Sequence, residues 1–591
     1  MNQLSNNIIV DLDFCYTVSI EEYIRRILIL GTIKNKYNST TNKLDPEAEL
    51  YIKTQIELGN GQQILTIVED IYISGRAPKQ DMTFMIHALL CRTTDIVLRK
   101  NALELLKKYR TLSQIYLWKT FHADILNDGV KSKGYGRAVK RVINQWILSQ
   151  SAKQLAYQVT KYQQRGKWGI THIMQCAHPK TGSGDDRIFI NKITGTPYVK
   201  KIKQPSIDAT TTDLVLRYTI YGYEEMVKLA SKYNLLETNE FKYLTAINWA
   251  KTCKDLNDEN ILTLIENIQS FELTREQIST ESLGILDVQK ALLVNKDKTK
   301  ITMPFTALLR NLSNLTRLGV FEDREILELV LKHFNNQEII IKARIHPVNI
   351  LLAWFTYRTG YSDLSKHTWI PNLEIINILE KMFYLSFKTI EPTGKRICIL
   401  IDASGSMTSP SVCKAITNAE AAAVLAMTIS RAEANTKQPV QHTFYLFTSK
   451  KYNNVKDAGL TNVSDLIHSK ATFTEVLSAV QRSDWASTDI SLGITEAIKF
   501  KQMYDAFIVI TDNDVNSGIK PSDALKQYRD IMKIDAKLAV IATQGSDISI
   551  ADPNDKGMMD FVGFDTHAPK MLQEFISNKN ISDSTSFDSE E

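Results

Sequence analysis

Four short apolar runs constrain this chain more than any other feature: ICILI (Ile397 to Ile401), HTFYLF (His442 to Phe447), AFIVI (Ala506 to Ile510) and KLAVIA (Lys537 to Ala542). They are nearly continuous in aliphatic and aromatic residues instead of alternating with polar ones, the pattern of strands buried on both faces of a parallel sheet. Parallel strands need crossover connections, and helical periodicity fills the intervals, as in Val412 to Ala434 and Ser522 to Ile531. Residues 391–577 are therefore expected to form a doubly wound α/β domain. The texture changes at EPTGKR (Glu391 to Arg396), which marks its start.

Upstream the pattern is different. From about residue 20 to 390, apolar residues recur at i, i+3, i+4 in segments such as EEYIRRILIL, QQILTIVEDIYI, NALELLKKY, TALLRNLSNL and REILELVLKHF, separated by short polar or Gly-containing breaks. Many short amphipathic helices without one dominant core suit an α-solenoid of stacked helix pairs. A chain of 591 residues also exceeds the roughly 250–300 at which single cores stop growing. The expected division is a helical-repeat module over 1–390 (core about 15–375), the α/β domain over 391–577, and a polar, acidic, disordered tail over 578–591.

No apolar run approaches the roughly 18 residues of a membrane span, and Asp11 and Asp13 interrupt the N-terminus where a signal peptide would be apolar. A cytoplasmic location is expected, with the nucleus as a second compartment. Six cysteines show no CxxC pair or zinc-ligand spacing, which predicts reduced thiols. The net charge of +5 conceals a strong asymmetry: Lys131 to Lys203 holds fifteen Lys and Arg against Asp185 and Asp186, leaving −8 for the remainder. A local excess of +13 calls for a polyanionic partner.

In open α/β sheets ligands collect at the carboxyl ends of strands, and DASGS (Asp402 to Ser406) begins where ICILI ends. Asp402, Ser404 and Ser406 alternate along what is expected to be an extended loop, so their oxygens converge on one side. One carboxylate and two hydroxyls suit a hard divalent cation, Mg²⁺ first and Mn²⁺ or Ca²⁺ next, and suit zinc poorly. Thr488 and Asp512, each beside a predicted element boundary, are further oxygen donors. DxSxS after a strand, a later Thr-Asp and a TD after another strand resemble the von Willebrand A domain. That resemblance implies a metal-ion-dependent adhesion site of Asp402, Ser404, Ser406, Thr488 and Asp512, with a coordination position open to a partner's carboxylate. Ala486 and Ser487 stand before Thr488 where the family would place glycines. Enzymatic motifs fail here: a phosphatase DxD needs a carboxylate at Ser404, a nucleophile elbow needs GxSxG, and a P-loop needs Lys-Ser or Lys-Thr where TGKR ends in Arg396.

Within the basic window, helical spacing puts Arg137, Lys140 and Arg141 on one face while Val139, Val142, Ile143 and Trp146 cover another. Lys161 and Arg165 are i, i+4, a like-charge spacing that costs an isolated helix about 0.2–0.5 kcal/mol and so gains from an anionic partner. Lys167, Trp168, His172, His178 and Lys180 then mix cations with rings, which suits phosphate contact combined with base stacking. VTKYQQRGKW, TALLRNLSNLT, KARIHPVNILLA, EPTGKR and ADPNDKGMMDFVGFDT together resemble the Ro ribonucleoprotein autoantigen family, from its TROVE module (Telomerase, Ro and Vault) through its A-type domain. The resemblance implies a ring of HEAT-like repeats closed by the A domain. It also implies binding of small noncoding Y RNAs on a basic outer surface and of misfolded noncoding RNA 3′ ends in the ring lumen. It carries RNA contacts to Lys161, Arg165 and His178; Arg137, Lys140, Arg141, Lys167 and His172 are added from the charge pattern. The basic segment from Thr181 to about Thr212 is longer than the family leads one to expect.

The leading expectation is a non-enzymatic RNA-binding ribonucleoprotein acting in noncoding RNA quality control, with no DNA or membrane partner. A second is a metal-dependent protein-binding adaptor whose helices are only a platform. A metal-dependent hydrolase would need a general base, for which Asp489 and Asp514 are nominees without diagnostic spacing.

Overall fold

The computed structural model describes residues 20–577 apart from 31–35, 39–45, 75–76, 78–79, 128–129, 132–135, 166–167, 178, 180–186, 191–196, 201–206, 344, 363–365, 412–415, 435–439, 441, 448–458, 482–488, 513–518, 544–549, 553 and 563–567. The chain forms two compact units. One comprises Met1–Ile52, Ile71–Met82 and Leu331–Glu591, the other Lys53–Asp70 and Thr83–Val330.

The first unit is organised by a seven-stranded sheet. Its strands are β1 (Lys36–Asn38), β2 (Ile397–Asp402), β3 (Thr443–Phe447), β4 (Leu460–Asn462), β5 (Ala506–Thr511), β6 (Lys537–Ala542) and β7 (Met558–Val562), in the order β1-β7-β6-β5-β2-β3-β4. All neighbours are parallel except β3 and β4. Every residue of β2, β5 and β6 is buried, as their unbroken apolar composition requires. On one face Cys398, Leu400, Phe507, Val509, Leu538 and Val540 pack with Ile494 of helix Leu492–Lys499 and with Leu525 and Tyr528 of helix Pro521–Met532. Each such side chain, fully buried, contributes roughly 1.5–3 kcal/mol. Helix Asn418–Glu433, started by a Thr417–Glu420 capping box, packs on β5.

The four apolar runs thus appear as β2, β3, β5 and β6, within a residue or so of their expected bounds. Three strands carried no such signal. β1 and β4 are three residues long, too short for periodicity, and β1 reaches the sheet from a segment that helical texture assigned to the upstream module. β7 is the MMDFV of the ADPNDKGMMDFVGFDT motif. The EPTGKR junction is held by side chains: Glu433 accepts from the Thr393 amide (2.5 Å), the Thr393 hydroxyl (2.6 Å) and the Gly394 amide (3.1 Å). Arg396 grips Asp505 through Nε (3.0 Å) and Nη2 (2.6 Å). Burial would raise the Asp505 carboxyl, but Arg396 outweighs it and holds it below its ordinary value.

The second unit is a succession of helices, several with the side-chain caps that start a helix: Asp95 for Ile96–Leu105, Thr111 for Leu112–Asp124 and Ser151 for Ala152–Lys161. Trp146 is buried and donates to the Tyr109 carbonyl at 2.6 Å. Within the Thr181 to Thr212 segment, Arg187–Ile190 pairs antiparallel with Pro197–Lys200 before helix Ile207–Tyr221 begins. Among the described cysteines, Cys91 and Cys398 are buried free thiols and Cys253 is half-buried. Among the described residues no single helix is long and apolar enough to cross a membrane.

Candidate functional site

The sheet order fixes one site. The chain leaves β2 toward β3 on one side and returns to β5 on the other, so β2 and β5 flank the topological switch point, where crevices open at strand carboxyl ends. Asp402 ends β2 and Asp512 follows β5 directly. Asp402 is fully buried; its Oδ1 accepts from the Ser404 amide (2.8 Å) and its Oδ2 from the Thr511 hydroxyl (2.7 Å). Burial pushes the Asp402 carboxyl up to about 6, opposed by the Thr511 and Ser404 hydrogen bonds and aided by the Asp512 charge. The loop is not extended. Gly405–Thr408 form a 3₁₀ turn after Ser404, and this turn brings the Ser404 and Ser406 hydroxyls to 3.0 Å. The convergence comes from helical winding, which a strand-like alternation did not anticipate.

Two buried oxygens at this site lack any hydrogen bond: Asp512 Oδ1, on a residue 7% exposed, and Asn418 Oδ1, on a residue 0% exposed whose Nδ2 lies 3.5 Å from the Ser406 carbonyl. A buried carboxylate oxygen without a donor fits a cation, and two carboxylates with serine hydroxyls fit a hard one. Among the described residues no three His, Cys, Asp or Glu cluster as a softer site would need. Thr488 lies outside the described residues. Asp514 does as well, while Asp489 Oδ1 is occupied by the Ser491 amide (3.0 Å) and hydroxyl (2.6 Å).

The second site lies in the helical unit. Helix Ala152–Lys161 stops at Lys161, because Tyr162 leaves helical backbone angles (φ −103°, ψ 75°). Lys161 and Arg165 are therefore not one turn apart on a helix, and the like-charge cost inferred from that spacing does not arise. Instead Gln164–Arg165 pairs antiparallel with Trp168–Gly169, Arg165 opposite Trp168. This ribbon packs on helix Leu112–Asp124, where Tyr116 donates to the Tyr162 carbonyl at 2.9 Å. Gly169 is required: a Cβ there would stand 2.9 Å from the Gln163 carbonyl oxygen.

Arg165 is exposed, with Nη1 3.3 Å from the Ser113 hydroxyl. Lys161 donates to the Tyr157 hydroxyl (2.6 Å) and lies 4.9 Å and 5.6 Å from the Tyr157 and Tyr162 ring centroids. Burial lowers its proton affinity, but the hydrogen bond to Tyr157 and the Glu276 charge oppose this and hold it above the ordinary lysine value. It stays cationic. Trp168 is half-buried between Lys119 Nζ, 5.0 Å from its ring, and exposed His172, edge-on at 6.3 Å. On helix Arg137–Ser149 the residues Val139, Val142, Ile143 and Trp146 are buried, Arg137 and Arg141 exposed and Lys140 half-buried. Asn144 ties this helix to helix Ile170–Ala177 through the Ala177 carbonyl at 2.8 Å. Lys167 and His178 lie outside the described residues. Sequence reasoning missed Tyr157, Tyr162 and Ser113 around the cations, and Thr511 and Asn418 around Asp402. Thr511 alone had a signal, as the residue before Asp512.

A helical array bearing a basic face, continued in the same chain by an α/β domain with an Asp-x-Ser-x-Ser loop at its switch point, defines a TROVE protein with a von Willebrand A-type domain. Residues 13–356 match the TROVE domain and residues 396–576 the Ro60 vWA domain. The chain belongs to the Ro60 family. It is similar to the RNA-binding protein RO60 of Caenorhabditis elegans, 29% identical over 96% of this chain and 89% of that protein. The RNA-binding protein RO60 of Deinococcus radiodurans is 26% identical over 95% of this chain and 93% of its own length. The crystal structure of the Deinococcus radiodurans Ro (RSR) protein superimposes with a TM-score of 0.76 at 23% identity, covering 95% of this chain and 100% of that one, which establishes the shared fold.

Proposed function

We propose that this protein binds RNA through the face formed by Lys161, Arg165 and the exposed cations of helix Arg137–Ser149, without catalysing a reaction on it. The observation that carries this reading is the ribbon of Gln164–Arg165 and Trp168–Gly169, which presents an exposed guanidinium beside a half-buried indole at the end of a helix terminating in a cationic lysine. Phosphates would sit on Arg165 and Lys161 and on His178, and unpaired bases against the rings. The names of the two relatives support RNA as the polyanion. The finer reading follows the family resemblance: Y-type RNAs on the basic outer surface, misfolded noncoding RNA 3′ ends in a ring lumen, and a cytoplasmic role, extending to the nucleus, in noncoding RNA quality control and stability.

The metal loop belongs to the same proposal as a docking point. Asp402, Ser404, Ser406, Asp512 and Thr488 would hold Mg²⁺, or Mn²⁺ or Ca²⁺ in its place, and the cation would supply a coordination position for a partner's carboxylate. The orphaned Asp512 oxygen favours this, and it supports the adaptor reading as an activity beside RNA binding.

Titrating a labelled structured RNA into the full chain at several salt concentrations tests the main reading. Lys161→Ala with Arg165→Ala should weaken binding at least tenfold and flatten the log–log salt slope by about two. Parental affinity and slope in that variant would remove the assignment of this face.

A further inference from the structure

A second feature of the helical unit is not used by the ribbon. Helices Ile96–Leu105 and Arg137–Ser149 face one another across a cleft of about 200 Å³ lined by Ile96, Arg99, Lys100, Leu103, Glu104, Ala138, Arg141 and Val142. That volume is below the roughly 300–1,000 Å³ of cofactor and drug-like pockets, so it suits a single ring. Leu103 and Val142 are buried at its floor, whereas Ile96 at its rim is 71% exposed and the adjoining Val97 68%.

The rim is strongly cationic. Among the described residues no carboxylate pairs with Arg99, Lys100, Arg137, Lys140 or Arg141; Arg99 donates only to the Thr93 carbonyl at 3.3 Å. The one acidic lining residue, Glu104, is neutralised by Lys107, and nearby Glu69 by Lys108. An apolar floor bounded by unpaired cations suits a flat heteroaromatic ring flanked by phosphates. In duplex RNA the base faces are covered, so the matching ligand is a single strand.

We propose that this cleft captures an unpaired base of single-stranded RNA, the base lying on Leu103, Val142 and Ile96 and its flanking phosphates on Lys100 and Arg141. This rests on the RNA-binding reading above and adds to it a site that discriminates unpaired from paired RNA. The probe is a labelled twelve-residue oligouridylate, compared with the same oligomer carrying abasic riboses, titrated into the full chain. The parent should bind the oligouridylate about tenfold more tightly than the abasic strand. Ala138→Trp, which fills the cleft from an exposed helix position, should reduce that ratio to about twofold, the remainder left by the rings of the ribbon, while retaining affinity for the abasic strand. Lys100→Ala with Arg141→Ala should flatten the salt slope by about 1.4. Lys161→Ala with Arg165→Ala should leave the base-dependent ratio intact.

Equal affinity of the parent for the two strands would overturn the proposal in favour of phosphate contacts alone. A tenfold ratio persisting in a folded Ala138→Trp protein would place the base elsewhere. Displacement of oligouridylate by hexaglutamate but not by abasic RNA would identify an acidic protein segment as the occupant and likewise overturn it. No binding of any RNA by the parent would instead sink the functional reading on which the cleft depends.

Discussion

Asp402 is expensive in the absence of a cation. Its carboxyl titrates at about 6 instead of 3.8, chiefly because it is buried, so the folded chain holds this proton more tightly than the unfolded one. Between those two values stability falls as pH rises, and above about 6 the full cost, ~3 kcal/mol by the size of the shift, is present. Asp402→Asn removes the charge while keeping its size. With EDTA at pH 7.5 that variant should be about 1–3 kcal/mol more stable than the parent by urea denaturation, and the gain should vanish near pH 4. Added Mg²⁺ should stabilise only the parent. An identical gain at both pH values would mean that the charge is not what destabilises the loop. The donor types here were legible, since Asp-x-Ser-x-Ser names its oxygens. What sequence could not convey is solvation: nothing in the letters around Asp512 or Asn418 says that their oxygens are buried without donors.

Local backbone geometry decides which side chains each element presents. The parallel strands β2, β5 and β6 were legible because burial on both faces leaves a continuous apolar record. The ribbon after Lys161 was not, because two-residue strands leave none, and a helix that stops between Lys161 and Arg165 looks the same in sequence as one that continues. Its shape depends on Gly169, whose missing Cβ leaves room for the Gln163 carbonyl that accepts from the Ile170 amide at 3.2 Å. Gly169→Ala sets a methyl group against backbone, which cannot swing aside as a side-chain end can. We expect a loss of about 1–3 kcal/mol in unfolding free energy. RNA affinity should fall several-fold even though Arg165 and Trp168 are unchanged, because the register that opposes them must shift. Anisotropy titration beside calorimetry separates the two effects. Parental values in both would show that the ribbon tolerates the displacement and that its geometry does not set RNA contact.

At the scale of the molecule, distant parts of the chain share one sheet. β1 pairs in parallel with β7, Lys36 with Asp560, Tyr37 with Phe561 and Asn38 with Val562, and helix Ile20–Leu30 buries Ile24, Ile27 and Leu28 completely and packs on helix Ala568–Ser577. No local window could reveal this, because the partner lies more than five hundred residues away and β1 is too short to declare itself. The α/β domain read from 391–577 therefore has one edge supplied from outside that span. Removing it has two costs: the apolar contacts of Ile24, Ile27 and Leu28, each worth roughly 1.5–3 kcal/mol, and exposure of the β7 edge to other chains. A chain lacking residues 1–45 should show a sheet-unit transition at least 5 °C lower by scanning calorimetry and should scatter light at concentrations where the parent does not. The transition of the helical unit, to which those residues do not belong, should stay in place. If the sheet-unit transition held its position, β1 would be an ornament on an edge that protects itself; if both transitions moved together, the chain would unfold as one cooperative body and not as two units.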